Sequence, residues 1–349
     1  MPLMLSFDGP VGSRLGKPRS RGVENCIAIV GPLEHASRAA RRINGTANSR
    51  SIRIEVFSDG VIHDGKVGEV TLGSDIDRLT GLVSSGQIRR VLVATPVKEH
   101  QRIAAVMRRL EGTATDVDLV LEGFSTYSGL RFGAAENVCI APVLTRPLTP
   151  TQALIKSTID RVGASLILVL IAPLLLFIAL LVKLTSPGDI LFRQRRLGLN
   201  NEEFEILKFR TLYQDNADPG AGQPVKRHDG RVMPIGKILR ALSLDELPQL
   251  VNVLKGDMSL IGPRPLPVDL KVEGTPCREF PHYPARHRVR PGITGLAQVK
   301  GSRGGMEVIG QLEKRLAYDL EYIDNYSLLL DAKIAIATVF VVLSPSNAY

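Results

Sequence analysis

Between Lys208 and Gln298 a dense set of cations, prolines and glycines surrounds one adjacent pair of carboxylates, Asp245-Glu246, in the segment LRALSLDELPQL. Ser243 followed three residues later by Glu246 matches a helix capping box, which predicts both carboxylates in the first turn of a helix. Pro248 allows instead a helix that begins slightly later. Either start leaves the carboxylates near a helix N-terminus, where the positive end of the dipole keeps them ionised and attracts phosphate. An ionised aspartate can attack phosphorus and split one hard group transfer into two easier ones through an acyl-phosphate. Taken alone, the Asp-Glu pair reads first as ordinary helix capping.

The neighbouring cations favour the chemical reading. Lys208, Arg210, Arg240 and Arg264 supply the fixed charges that a diphosphate requires, because charge developing during phosphoryl transfer is stabilised mainly electrostatically. Gly262-Pro263-Arg264-Pro265 and Arg290-Pro291-Gly292 are rigid turns, so Arg264 and Arg290 are expected as held phosphate contacts rather than a loose basic face. A diphosphate implies Mg²⁺ with oxygen ligands, and Glu246 is the protein candidate. His228, His282 and His287 pair with no other His or Cys at metal-ligand spacing, which makes them surface or structural residues.

These residues need a scaffold, and 349 residues with 44% hydrophobic and 23% charged composition make two domains the expectation. A formal charge of +9 calls for an acidic partner; with no Trp, 10 Phe and 7 Tyr, stacking platforms for single-stranded nucleic acid are scarce. Anionic lipid and phosphorylated small molecules remain. Three isolated cysteines suit a reducing compartment and no disulfide framework. Residues 1–22 read as a flexible basic leader without a secretory h-region. Residues 23–141 alternate short apolar strands with helices, predicting a small parallel, Rossmann-like α/β domain. Its Gly31-Pro32-Leu33 turn lacks the later glycines of a dinucleotide loop, so an accessory role is expected and nicotinamide cofactor binding is not. Residues 142–155 read as a Pro-rich linker.

Val162 to Val182 then runs 21 residues without a charge, enough at about 1.5 Å per residue to cross a hydrocarbon core of about 30 Å. Pro173 lies in its middle and cations flank both ends, which favours a re-entrant hairpin over 156–187 broken at Ala172-Pro173; a kinked spanning helix and a buried core helix are the alternatives. Residues 188–349 form a mainly helical α+β domain whose second apolar stretch, Leu328–Leu343, is expected along a membrane surface.

Lys156 to Leu343 resembles the bacterial sugar transferases, the monotopic polyprenyl-phosphate phosphoglycosyl transferases. The matching stretches are the apolar hairpin, FRQRRLG, ILKFRTL, GRVMPIGKILRALSLDELPQLVNVLKGDMSLIGPRP, RHRVRPGITGLAQVKG and YDLEYIDNYSLLLDAKI. The resemblance implies that Asp245 attacks the β-phosphate of a UDP-sugar, releases UMP and passes the sugar phosphate to undecaprenyl phosphate, assisted by Mg²⁺ and Glu246. Arg240 and Arg264 match family positions that hold phosphate. It further implies a bacterial inner membrane location with the catalytic domain on the cytoplasmic face, and a first step of exopolysaccharide or capsule synthesis. Longer members carry four transmembrane helices ahead of a similar α/β domain, and none is visible here. Where the family has Ser-Pro at the hairpin break, this chain has Ala172-Pro173. Gly301-Ser302-Arg303-Gly304 and LEKRLAYDLEYI look like the glucose-1-phosphate transferases, with galactose next. A non-catalytic membrane scaffold is the competing reading, and a homodimer is as compatible as a monomer.

Overall fold

The computed structural model describes residues 25–46, 52–59, 74–85, 87–88, 90–121, 139–213, 229–302 and 308–343. The chain divides into two compact units between Arg146 and Pro147. The expected leader, 1–22, lies outside the described residues, as does His228.

The first unit is a five-stranded sheet in the order β2-β1-β3-β4-β5, with β1 Asn25–Gly31, β2 Ile52–Ser58, β3 Arg90–Val93, β4 Asp116–Leu121 and β5 Cys139–Leu144. The first four strands are parallel and β5 runs antiparallel to β4. Strand alternation sends successive side chains to opposite faces. Ala28, Val30, Val91 and Val93 therefore pack beneath α2 (Ser74–Ser84) and α3 (His100–Leu110). Ile29 and Leu92 meet α1 (Leu33–Thr46) on the other face. A Cβ at Gly31 would stand 2.5 Å from the Ala94 carbonyl, so the turn leaving β1 is closed against the exit of β3.

β5 corrects the expected 142–155 linker. Pro142 sits on an edge strand, where its missing N–H costs no ladder bond, and the register slips beside its partner Asp118. The later prolines are helix-start chemistry: Thr149 and Gln152 exchange capping bonds, and Pro150 occupies the first turn of α4 (Pro150–Thr185).

The second unit is built on α4. Lys156, Asp160, Ala164, Leu168, Ile171, Leu175, Ile178 and Val182 recur every three or four residues along its packed face. Its other face is exposed and apolar: Val169 is 77% exposed, Leu170 80% and Leu176 73%. The hairpin broken at Ala172-Pro173 is not what forms. α4 is one continuous helix of 36 residues with Pro173 inside it. Proline deletes a single rung of the ladder, to Val169, while the packed stripe continues on both sides of it.

After α4 come the antiparallel hairpin β6 (Leu191–Leu197) and β7 (Glu203–Phe209), α5 (Pro234–Ala241), a 3₁₀ turn at Leu244–Glu246 and α6 (Gln249–Lys255). β8 (Ser259–Ile261), a two-residue ladder of β9 (Lys271–Val272) with β10 (Thr275–Pro276), and β11 (Gly292–Thr294) follow. The unit ends in α7 (Leu296–Val299), α8 (Ile309–Asp324) and α9 (Leu328–Leu343). β11 pairs in parallel with β8.

A buried polar group ties α4 and α9 to this body. Lys156 Nζ lies 3.1 Å from Asp160 and 2.9 Å from Asp331 of α9. Asp160 also accepts from the Ser259 hydroxyl at 2.7 Å, and Asp331 from the Tyr322 hydroxyl at 2.7 Å. Every charge in the group has a partner, the condition under which buried polar networks specify one arrangement.

Candidate active site

α5 stops at Ala241 and the chain turns sharply through Ser243, which is left-handed at φ 55°. The expected capping box does not form: Ser243 makes no side-chain cap bond, and Glu246 bonds elsewhere. A serine in the left-handed region is uncommon, and such residues gather at functional sites. The consequence is positional: Asp245 and Glu246 sit on a short 3₁₀ turn ahead of α6.

Two neighbouring segments reach that turn. Asn252 of α6 is fully buried; its carbonyl accepts from the Leu207 backbone at 3.0 Å and its amide donates to the Glu205 carbonyl at 2.7 Å. This fixes β7 to α6 and carries Lys208 to Glu246, with Nζ 2.7 Å from Oε1. Arg264 arrives from the loop after β8. There a Cβ at Gly292 would fall 2.1 Å from the Gly262 nitrogen, and one at Gly295 2.1 Å from its oxygen, so only glycine lets these backbones meet. The Arg264 guanidinium then grips both oxygens of Glu246, donating to Oε2 at 2.8 Å and to Oε1.

The two carboxylates differ in consequence. Burial alone would raise the Glu246 carboxyl, but Arg264 and Lys208 together hold it well below the usual range. Asp245 is pushed up by burial, against the pull of Lys208 and with a further push from Glu246. Among the described residues no hydrogen bond or ion pair to the Asp245 carboxylate is formed. One acid is thus locked as a countercharge while its neighbour is left desolvated and available, the pattern expected of a nucleophile.

Of the expected cations, the structure gathers Lys208, Arg240 and Arg264 around Asp245. Arg210 is elsewhere occupied: its guanidinium donates to the carbonyls of Ser186 and Pro187, both at 2.7 Å, and so caps the end of α4. Arg290 stands instead among Arg161, Asp160 and Asp257. His287 is buried against Tyr283, its imidazole pushed down to about 3 by burial and Arg286. Among the described residues no cluster of three or more His, Cys, Asp or Glu could hold a metal. Glu246, the expected Mg²⁺ ligand, has both oxygens taken by Lys208 and Arg264; of the pair it is Asp245 that fits an ion brought in with a diphosphate, since Mg²⁺ takes one or two carboxylates alongside phosphate oxygens.

Residues 151–345 match the family described as bacterial sugar transferase. The chain belongs to the bacterial sugar transferase family. It is 38% identical over 337 residues to an undecaprenyl-phosphate glucose phosphotransferase of Komagataeibacter xylinus, covering 95% of this chain and 61% of that protein. It is 39% identical over 285 residues to a UDP-glucose:undecaprenyl-phosphate glucose-1-phosphate transferase of Escherichia coli K12, covering 80% of this chain and 61% of the relative. The chain therefore spans about three fifths of the length of these relatives. A third, an Aeromonas hydrophila protein named for UDP-N-acetylgalactosamine, is 43% identical over 200 residues, 57% of this chain and 46% of the relative.

In this family member the sequence reading missed a layer behind Arg264. Arg286, 2% exposed, donates to the Arg264 carbonyl at 2.6 Å and pairs with Asp319 of α8 at 2.7 Å. Arg315 and Asp319 share the buried stripe of α8 with Leu312, Leu316, Tyr322 and Ile323. Charged residues at core positions of an apolar stripe were the available signal.

Proposed function

We propose that this chain transfers a sugar 1-phosphate, glucose 1-phosphate foremost, from a UDP-sugar to undecaprenyl phosphate through a phospho-aspartyl intermediate on Asp245. The observation that carries this reading is the unpartnered, half-buried Asp245 beside a Glu246 fully engaged by Lys208 and Arg264. An Asp245 oxygen attacks the β-phosphorus; the bond from that phosphorus to the bridging oxygen breaks and UMP leaves. A phosphate oxygen of the lipid then attacks the same phosphorus, breaks its bond to Asp245 and restores the carboxylate. Lys208, Arg240 and Arg264 neutralise the phosphates, and Glu246 keeps the first and last of these in place. Mg²⁺ entering with the diphosphate would meet the pair through Asp245, because both oxygens of Glu246 are already taken by Lys208 and Arg264, and it would offset phosphate charge.

The lipid acceptor agrees with α4. A 36-residue helix is about 54 Å long, against about 30 Å of hydrocarbon. Its packed stripe lies on the body of the unit, so we infer that its exposed apolar face rests in the cytoplasmic leaflet of the inner membrane rather than projecting through. α9, with 16 residues and about 24 Å, is too short to span and presents Leu329, Val339 and Phe340 to the same lipid. Anionic headgroups suit the chain's positive charge. Naming of relatives for both glucose and N-acetylgalactosamine leaves the sugar to experiment. Purified protein in detergent with Mg²⁺ and undecaprenyl phosphate should release UMP from UDP-glucose within a panel of UDP-sugars. No turnover by folded protein would return the scaffold reading.

A further inference from the structure

Arg196 takes no part in the transfer described above, yet it lies beside its cations. It is one of three arginines on β6. Arg193 and Arg195 point to solvent and face Glu205 and Glu203 at 3.8 and 3.2 Å. Arg196 turns inward, and its guanidinium meets only neutral acceptors: Nη1 donates to the Pro265 carbonyl at 3.1 Å and Nη2 to Gln194 Oε1 at 2.5 Å. Its Nε is buried without a partner. The carboxylate in its field, Glu246, is already gripped by Arg264 and Lys208. Burial and the like charge of Arg264 lower Arg196 to about 9, the mark of a cation that its surroundings do not compensate.

The imbalance is local. Arg196 and Arg286 donate to consecutive carbonyls, those of Pro265 and Arg264, so two guanidiniums converge on the dipeptide that carries a third. Asp319 answers Arg286 and Glu246 answers Arg264; nothing among the described residues answers Arg196. A desolvated cation without a countercharge costs several kcal/mol, a cost that a bound anion removes.

We propose that Arg196 is a second phosphate-binding residue, forming with Arg264 the seat of one phosphate group of a phosphorylated ligand. This rests on the transfer reading for what the ligand is, but not for whether phosphate binds. The donor diphosphate and the acceptor phosphomonoester share that chemistry.

The test uses the full chain in detergent, with inorganic pyrophosphate binding followed by titration calorimetry. Arg196→Gln should weaken binding about 10- to 100-fold, the worth of one charge-assisted hydrogen bond. Arg196→Lys keeps the charge and should stay within about tenfold of wild type. Arg195→Gln, on the solvent face of the same strand, should change nothing. Unaltered binding by Arg196→Gln overturns the proposal, as does equal loss in the Gln and Lys variants, which would mean that Arg196 merely holds the Pro265 carbonyl. A second measurement needs no variant: pyrophosphate should protect Arg196 of the wild-type protein from dicarbonyl labelling, and absence of protection overturns the proposal. In turnover assays a raised KM for the UDP-sugar assigns the seat to the donor and a raised KM for the lipid phosphate assigns it to the acceptor; no change in either overturns it. Calorimetry on Asp245→Asn separates the two readings, because phosphate binding persists there even if the covalent mechanism fails.

Discussion

Replacing Glu246 by Gln tests the electrostatic design of the site most sharply. Glu246 accepts from Lys208 at 2.7 Å and from Arg264 at 2.8 Å and again through the second guanidinium nitrogen; its side chain is 16% exposed, against 18% and 29% for the partners. Breaking a buried pair leaves cations without a countercharge and costs about 3–5 kcal/mol; partial exposure and the amide oxygen of Gln argue for about 3. For a unit of this size each kcal/mol moves the midpoint by about 2–4 °C, so thermal unfolding at neutral pH should begin about 6–12 °C lower. The pH dependence gives a second reading. Glu246 is depressed in the folded state, so its stabilisation is present above the unfolded value of about 4.3 and is lost as pH falls through and below that value. Scanning fluorimetry at one scan rate from pH 7 to pH 2 should show a constant gap between wild type and the Gln variant down to about pH 4.3 and convergence of the two below it. A midpoint within 2 °C or so of wild type at pH 7, roughly 1 kcal/mol or less, would refute the clamp.

Asp245 should behave oppositely: its raised folded pKa means that ionisation costs stability as pH rises, so Asp245→Asn should melt slightly higher than wild type at pH 7 while losing turnover, and a lower midpoint would contradict its desolvation. Asn252→Ala removes two bonds to the β7 backbone and leaves a buried N–H and carbonyl unpaired, costing about 2–4 kcal/mol; chemical denaturation with an unchanged midpoint would show that α6 and β7 do not depend on it. Lys156→Met leaves Asp160 and Asp331 facing each other and should destabilise by about 3–5 kcal/mol, with partial recovery in the Lys156→Met, Asp331→Leu double variant; strictly additive losses would deny the coupling.

Much of this molecule was legible in its residues, for physical reasons that differ from place to place. The first unit announced itself through short apolar strands alternating with helices, and the unbroken apolar run of β1 follows from burial of both its faces, Ala28 and Val30 on one and Ile29 on the other. β5 was hidden because prolines at an edge strand and at a helix start look alike in sequence to prolines in a linker. The apolar run declared α4 but not its continuity through Pro173, which depends on packing against segments far along the chain. At the site, the gathering of Lys208, Arg240 and Arg264 near Asp245 could be read from residue type and turn motifs. Ser243 could not: the capping pattern S-x-x-E was present, but a left-handed serine sent Glu246 to two cations instead. Arg210 and Arg290 share composition with Arg264 and differ only in where the fold delivers them. Arg196 finds its acceptor at Pro265 and Arg286 its acid at Asp319, pairings across long stretches of chain that spacing does not encode.

The central claim is a covalent sugar phosphate on Asp245. Intact-protein mass spectrometry of the full chain incubated with Mg²⁺ and UDP-glucose, without lipid acceptor, should show the mass of one hexose phosphate added, located to the peptide carrying Asp245 and discharged when undecaprenyl phosphate is supplied. Asp245→Asn should remain unmodified. Turnover by wild type with no modified protein under these conditions, or modification that survives in the Asn variant, would contradict the account.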